Sequence, residues 1–450
     1  MKIKILFPVL LILVSLAASS AQTIDKAKLD QFFDRLAEKN KAMGSLTIAK
    51  DGQALYTRTI GYGQITATDK KPITAASRFR IGSITKMFTA AIVLKLAEEK
   101  KLKLTDTLDK FFPQIANANK ITIAHILAHR SGIHDSLVDK NLRPGLRTEP
   151  ITKEQLLALI EKAKPDFEPN AKNSYSNSGY AILGLIIEKV TGKPYEEALR
   201  KQITSKIGLA DTYLATGNID PAKNEALTYM NLGAEWKPVD ETHPSNLFSA
   251  GGIISTPNDL TKFIQALFDG KLISTENLTL MKTMRDGDGI GMEPFTFAGK
   301  TFYGHTGGAD NYGAWLAYLP EEKLALAYTT NAKVYPVKDI VSGVTDIYYN
   351  KPFTVPTFES VAISTEVLDK YVGVYTVAGT PAKFTITRNG STLYAQPPGQ
   401  GAAVPLEATA IDKFKIDNGT PVGIVIEFDA AKSQMTIKRG GGERVFTKEN

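Results

Sequence analysis

The segment KPFTVPTFES, residues 351–360, separates two stretches of sequence whose apolar residues follow different periods. Its prolines, Pro352 and Pro356, suit neither a helix interior nor a paired strand, so a linker falls over 351–364. Beyond it YVGVYTV, KFTITRN, TLYAQPP, FKIDN, GIVIEFDA and QMTIKRG are short alternating runs divided by Gly, Asn, Asp and Pro. A period of two repeated over such short runs specifies an all-β domain over 365–450, a small barrel or a sandwich. The larger unit, 22–350, mixes both periods.

Within it KAKLDQFFDRLAEKNKA has helical spacing, and GSLTIAKDGQALYTRTIGYG reads as two strands around the turn Lys50-Asp51-Gly52. From Ser83 to about Lys101 the pattern is helical, as it is in ITKEQLLALIEKAKP, YAILGLIIEKVTG and DLTKFIQALFDG. Strands return in TFYGHTGG, YGAWLAYLP and LALAYTTNA, with a turn at Pro320-Glu321-Glu322, and KDIVSGVTDIYYN closes the unit as a helix. The expected class is α+β. One antiparallel sheet shared by the two ends of the unit is flanked by helices, a mostly helical lobe stands apart, and the β domain follows.

The first residues, MKIKILFPVLLILVSLAASSAQ, set Lys2 and Lys4 before an apolar run from Ile5 to Leu16 and small residues ending at Ala21. That order is a secretory signal over 1–21, and it implies an exported protein, periplasmic or secreted, held at a membrane only if the segment stays uncleaved. No cysteine occurs in the chain, which excludes disulfides, thiol catalysis and thiolate metal sites. The formal net charge of +7 falls by two with the loss of Lys2 and Lys4. The remaining basic residues are interspersed with acids, as in EEKKLKLTDTLDK, which describes a solvated surface and no nucleic-acid stripe. A mild positive excess permits attraction to anionic cell-envelope polymers.

In FRIGSITKMFTAA, residues 79–91, Ser83 and Lys86 stand three apart at the head of an apolar helix. Serine is a favoured N-cap and a lysine one turn on is ordinary, so the pair alone is compatible with a plain helix start. Ser83 is, however, the single serine followed by lysine at this spacing. A lysine drawn among MFTAAIVLKL loses hydration, its pKa falls, and it can take a proton from a neighbouring hydroxyl. A helix N-terminus adds N–H donors for an acyl oxyanion.

Two other stretches carry suitable chemistry. In Tyr175-Ser176-Asn177 a phenol can relay a proton and an amide can hold a carbonyl. Tyr229-Met230-Asn231 and Tyr348-Tyr349-Asn350 share that unspecific pattern; Tyr229, in a loop-like segment, is the weaker candidate, and Tyr348 reads as packing. His305-Thr306-Gly307-Gly308 ends a strand. Its glycines would let an extended substrate approach the backbone, with His305 and Thr306 as polar neighbours, or would merely mark a bulge.

Taken in order, Ser83-x-x-Lys86, Tyr175-x-Asn177 and His305-Thr306-Gly307 resemble the serine β-lactamase and penicillin-binding protein superfamily. The nearest style is the branch of class C β-lactamases, DD-peptidases and family VIII esterases, and ILAHRSGI, IIEKVTGKPYEEAL and SAGGIISTPNDLTKFI extend the likeness over most of residues 25–350. The resemblance implies that Ser83 is acylated, that Lys86 and Tyr175 share its proton and later activate water, and that Asn177 orients the substrate. It also implies an oxyanion hole from the backbone N–H groups of Ser83 and Gly308. His305 stands where β-lactamases usually carry lysine and some DD-peptidases carry histidine, which argues against efficient β-lactam hydrolysis. Gly308 brings no hydroxyl for a substrate carboxylate.

The remaining histidines carry less. His125 and His129 have a zinc-compatible spacing, but HILAH lacks the glutamate of a zinc hydrolase, so they read as packing and no metal or cofactor is implied. His134 and Asp135 follow a Ser-Gly turn within possible reach of the cleft, and His243, before Pro244, is a loop residue. The β domain has no chemical signature; it reads first as a stabilising appendage, with covering part of the cleft, setting substrate length or binding an envelope component as the alternatives. The expectation is an exported serine hydrolase acting through an acyl-enzyme on a small amide or ester: a D-amino-acid peptide, a β-lactam or a short ester. Its rival is a penicillin-binding or ligand-sensing protein with little turnover, and a metallohydrolase is a distant third.

Overall fold

The computed structural model of the protein describes residues 24–449 apart from 143–147, 232–234, 288, 359, 378–382, 399–402, 417–423 and 440–441; the expected signal over 1–21 lies outside them. Helix α1 (Lys26–Glu38) leads into strands β1 (Ala42–Lys50) and β2 (Gln53–Ile60). Asp51 and Gly52, at φ 51° and 77°, make the tight turn between the strands, a left-handed pair that matches strand twist. Strands β3 (Glu293–Phe297), β4 (Lys300–Ala309), β5 (Tyr312–Leu319) and β6 (Leu324–Lys333) come from the far end of the unit. They join the first two in a six-stranded sheet of order β3-β4-β5-β6-β1-β2, with β1 antiparallel to both β2 and β6. The two ends of the unit share one sheet, as the order of periods implied.

Helices α2 (Thr85–Glu98), α3 (Asn177–Thr191) and α4 (Pro257–Phe268) lie between β2 and β3, and α5 (Val337–Tyr348) follows β6. The sheet has a core on each face. Ala314, Leu316 and Tyr318 of β5 face α2, α3 and α4, whereas Trp315, Ala317 and Leu319 face α1 and α5. Burial on both faces explains why β5 and β6 read as continuous apolar runs rather than alternating ones. Helix α2 is central, with every residue from Thr85 to Leu94 buried, and the ring of Phe88 stacks on Phe263 of α4 at 3.7 Å. A helix apolar all round belongs in a core, and that is what places a lysine of its first turn out of reach of water.

From 373 onward eight consecutive strands close into an antiparallel barrel, the first, Gly373–Thr376, pairing with the last, Gly442–Lys448. Closure leaves no exposed edge. Alternate residues such as Ile386, Leu393, Leu406, Phe414, Ile426 and Met435 fill its interior, so of the two β architectures compatible with the sequence the barrel is the one formed. The preceding segment anchors to both units: Phe353 packs edge-on against Phe32 of α1, and Leu368 plugs the barrel core. Lys41 reaches across to an ion pair with Glu407 of the barrel.

Candidate active site

The helix at Ser83 begins later than the sequence pattern placed it. Gly82–Ile84 form a single 3-10 turn, and α2 starts at Thr85 without any side-chain cap. Ser83 is therefore no N-cap, and its hydroxyl is left for other partners. Gly82 has a φ of 51°, and a Cβ there would lie 2.5 Å from the amide nitrogen of Gly308, so only glycine lets β4 come this close. Gly307 meets the turn from the other side: its Cβ would lie 1.9 Å from the carbonyl oxygen of Ile81. These two contacts put the Gly308 amide beside the Ser83 turn.

Lys86 is fully buried. Its Nζ is hydrogen-bonded to Ser83 Oγ at 3.0 Å and donates to Asn177 Oδ1 at 2.8 Å and to the Ala250 carbonyl at 2.8 Å. Burial lowers its pKa to about 7, against an opposing pull from the negative charges of Asp135 and Glu293. A neutral amine carries two N–H donors and one lone pair. Asn177 Oδ1 and the Ala250 carbonyl can only accept, so they take both hydrogens and the lone pair is left for the hydroxyl of Ser83.

Asn177 is the first residue of α3, whose N-cap, Ser176, accepts from the amide of Gly179. Its Nδ2 donates to Asp135 at 2.8 Å, which sets the amide so that its oxygen faces Lys86. Tyr175 lies alongside, with Lys86 Nζ 4.7 Å from the centre of its ring, and it is 38% exposed, open to a ligand. The ring of His129 stacks on Tyr175 at 4.3 Å, while its Nδ1 accepts from the Ser176 amide at 3.1 Å. Burial first, and then the charge of Lys86, hold the His129 pKa well below the usual imidazole range. The neutral ring serves as a platform for Tyr175.

These groups border a cleft of about 370 Å³ lined by Ser83, Tyr175, Asn177, Gly308 and Lys333 among others. His305 and Thr306 stand behind this wall. His305 is 3% exposed, its Nδ1–H donates to the Thr306 carbonyl at 2.5 Å, and burial together with the charge of Lys86 lowers its pKa to about 4. Its Nε2 is 3.7 Å from a Glu293 oxygen, beyond hydrogen-bonding range, and a neutral imidazole forms no ion pair there. Thr306 pairs with Trp315 across the ladder, and cross-strand partners share a face, here the face toward α1 and α5.

The weaker tyrosine candidates lie elsewhere. Tyr229 is buried, with its hydroxyl accepting from the Ile65 amide at 2.7 Å, and Tyr348 belongs to the core under α1 and α5. His125 closes a capping box with Thr122, His134 bridges Asp139 and Asp166, and His243 caps the turn at Pro244–Asn246. Sequence reasoning missed His129 as a support for Tyr175, Glu293 as a charge near Lys86, and Lys333 as a cleft residue. It brought Asp135 only to the vicinity of the cleft. None of these has a local signature, because each acts on residues far from it along the chain.

The arrangement is that of a buried amine turned on a serine beside a close-packed strand amide. A family model described as Beta-lactamase matches residues 29–342. The chain belongs to the beta-lactamase family. It is 26% identical over 443 residues to penicillin-binding protein 4* of Bacillus subtilis (strain 168), a match covering 92% of this chain and 97% of that protein. Among solved structures, the D-amino acid amidase from Ochrobactrum anthropi SV3 complexed with D-phenylalanine superposes with a TM-score of 0.63 at 26% identity, over 72% of this chain and 99% of that one. The octameric penicillin-binding protein homologue from Pyrococcus abyssi matches with a TM-score of 0.64 at 26% identity over 94% of this chain and 100% of that one, a span that takes in the barrel. This member of the beta-lactamase family is a serine hydrolase of the acyl-transfer kind.

Proposed function

We propose that the protein is an exported acyl-serine hydrolase of D-amino-acid amides and short peptides, with Ser83 as nucleophile and Lys86 as its base. The observation that carries this is the set of contacts of Lys86 Nζ, 3.0 Å from Ser83 Oγ and 2.8 Å from two pure acceptors, Asn177 Oδ1 and the Ala250 carbonyl, which in the neutral amine take both hydrogens and leave the lone pair for Ser83. With a pKa near about 7 the amine is substantially neutral at ordinary pH, as a general base must be.

In the first step Ser83 Oγ bonds to the substrate carbonyl carbon as its proton passes to Lys86. The carbonyl electrons move onto oxygen, which the backbone N–H groups of Ser83 and Gly308 receive. The new ammonium keeps Asn177 and Ala250 as acceptors and lies over the electron-rich face of Tyr175, a contact of about 0.5–2 kcal/mol. Collapse breaks the bond to the leaving amine, which collects a proton through the Lys86 and Tyr175 pair. Water then attacks the acyl ester by the same route in reverse. The second N–H of Asn177 Nδ2 is available to the substrate carbonyl on the acyl side.

A D-amino-acid amide is favoured over a β-lactam because His305, neutral and turned to its own strand, supplies no cation where the resemblance places a β-lactamase lysine. The amidase named above, which matches 99% of its own length, supports the same substrate class, and the apolar run Ile5–Leu16 supports export. The test is covalent labelling by a fluorophosphonate and a fluorescent penicillin, with turnover of D-amino-acid amides, in wild type and Ser83→Ala. Labelling and turnover should vanish together in the variant; retained labelling overturns the assignment. A stoichiometric burst without turnover across amides and esters would favour a penicillin-binding protein over an enzyme of this substrate class.

A further inference from the structure

Lys333 ends strand β6, and its side chain runs across the sheet to the reactive end of β4. Gly313 eases the passage, since a Cβ there would lie 3.1 Å from Lys333 Cγ, and the place of a Cβ on Gly308 lies 3.7 Å from Lys333 Nζ, an ordinary contact. The ammonium of Lys333 thus stands beside Gly308, where the oxyanion strand carries no side-chain hydroxyl. Among the described residues no hydrogen bond or ion pair engages Lys333 Nζ. Asp310 acts on it through space, but its two oxygens already accept from the Thr242 amide at 2.9 Å and hydroxyl at 2.8 Å. A largely buried cation with no direct partner is costly to keep, and an incoming anion would relieve that cost.

Lys333 lines two spaces at once. One is the cleft of Ser83; the other is a cavity of about 800 Å³ between the catalytic sheet and the mouth of the barrel. Among the described residues its walls carry Lys39, Lys41 and Lys415 besides Lys333, and one acid, Glu407. That glutamate is already paired with Lys41 and lies 3.7 Å from Lys415. The barrel contributes Leu406 and Phe414 as an apolar floor. Lys39 and Lys333 over an apolar floor fit an elongated anion.

We propose that Lys333 binds a carboxylate of the substrate and that the substrate continues past it into the cavity under the barrel, so that the enzyme selects elongated anionic amides or esters. This rests on the acyl-serine reading of Ser83 and makes the barrel mouth part of the substrate site.

The probes are p-nitrophenyl esters of matched chain length, butyrate against hydrogen glutarate, with hydrogen dodecanedioate as the long anion. In Lys333→Met the ratio of kcat/KM for glutarate to that for butyrate should fall about tenfold, the worth of one lost charge-assisted contact, and Lys333→Arg should restore most of it. An unchanged ratio, or no rescue by arginine, overturns the role of Lys333. Ala362 lines the cavity, and Ala362→Trp should raise KM for dodecanedioate relative to glutarate several-fold; equal KM changes overturn the cavity's part. All ratios are taken on the Ser83-dependent rate. Hydrolysis retained in Ser83→Ala therefore speaks against the acyl-serine reading, whereas flat ratios in an enzyme that needs Ser83 speak against this inference alone.

Discussion

Asp135 decides which way the Asn177 amide stands. Its Oδ2 accepts from Asn177 Nδ2 at 2.8 Å, its Oδ1 accepts from the Ser178 amide at 3.2 Å, and Asn177 Oδ1 is thereby presented to Lys86 at 2.8 Å. A flipped amide would set N–H groups against the lysine nitrogen, and a neutral amine would then spend its lone pair on Asn177 instead of on Ser83. The carboxylate also acts through space, favouring the charged lysine.

Asp135→Asn removes that charge. The pKa of Lys86 should fall further, and the acid limb of the kcat/KM profile should move to lower pH, while the plateau drops as the Asn177 amide loses its fixed orientation. A limb that stays in place under both substitutions, Asp135→Asn and Asp135→Ala, would show that the carboxylate is not felt at the lysine.

Lys86 itself predicts the pH profile of the wild type. As the proposed base it is competent when neutral, so kcat/KM should rise with pH through about 7 and be lost below it. The group is depressed from an unfolded value of 10.5, so the unfolded chain binds the extra proton between these values and stability should rise across that window. Lys86→Ala should reduce acylation by about 10²–10⁴-fold, the usual worth of a positioned general base. Stopped-flow acylation across pH 5–9 reads the profile and the Lys86→Ala loss, and thermal unfolding across pH 7–10 reads the stability.

Gly307→Ala tests the close approach of β4. A methyl group 1.9 Å from the Ile81 carbonyl must push the strand off the Ser83 turn and carry the Gly308 amide with it. Loss of one oxyanion donor costs about 10²–10³-fold in kcat, and the fall should appear in kcat more than in KM. An active Gly307→Ala with wild-type kcat would remove the Gly308 amide from the proposed hole.

His129→Phe keeps a flat ring under Tyr175 but deprives the buried Ser176 amide of its acceptor. An unsatisfied buried N–H costs about 1–3 kcal/mol, so the melting temperature should fall. Because the N-cap of α3 is loosened next to Asn177, kcat should fall too, and His129→Asn, which retains an acceptor, should recover stability better than activity. Equal recovery of both would reduce His129 to a structural support.

Part of this arrangement is local and can be read along the chain. The spacing of Ser83 and Lys86 puts both on one turn, Ser176 before an apolar run marks the start of α3, and the switch to alternating apolar residues after Pro356 announces a β domain. The hairpin at Asp51-Gly52 and the doubly buried runs of β5 and β6 are equally legible, because turn chemistry and apolar period act within a few residues. The start of α2 was misplaced by two residues: Gly82 and Ile84 belong to a 3-10 turn that β4 presses against, a contact between segments more than 200 positions apart.

By itself, then, the sequence determined the elements, the division into two units and the set of motif residues, since periodicity, capping and turn preference are properties of neighbours. Only the tertiary structure decided what those residues do to one another. Lys86 is an ordinary solvated cation until α2 is buried on all sides; burial lowers its pKa, Asp135 orients the amide that takes one of its hydrogens, and the lone pair falls to Ser83. His305, a polar neighbour of the nucleophile by its motif, is a buried ring bonded to its own strand, 6.4 Å from the Tyr175 ring. Lys333, with no motif to mark it, reaches the cleft by crossing the sheet over Gly313 to stand beside Gly308.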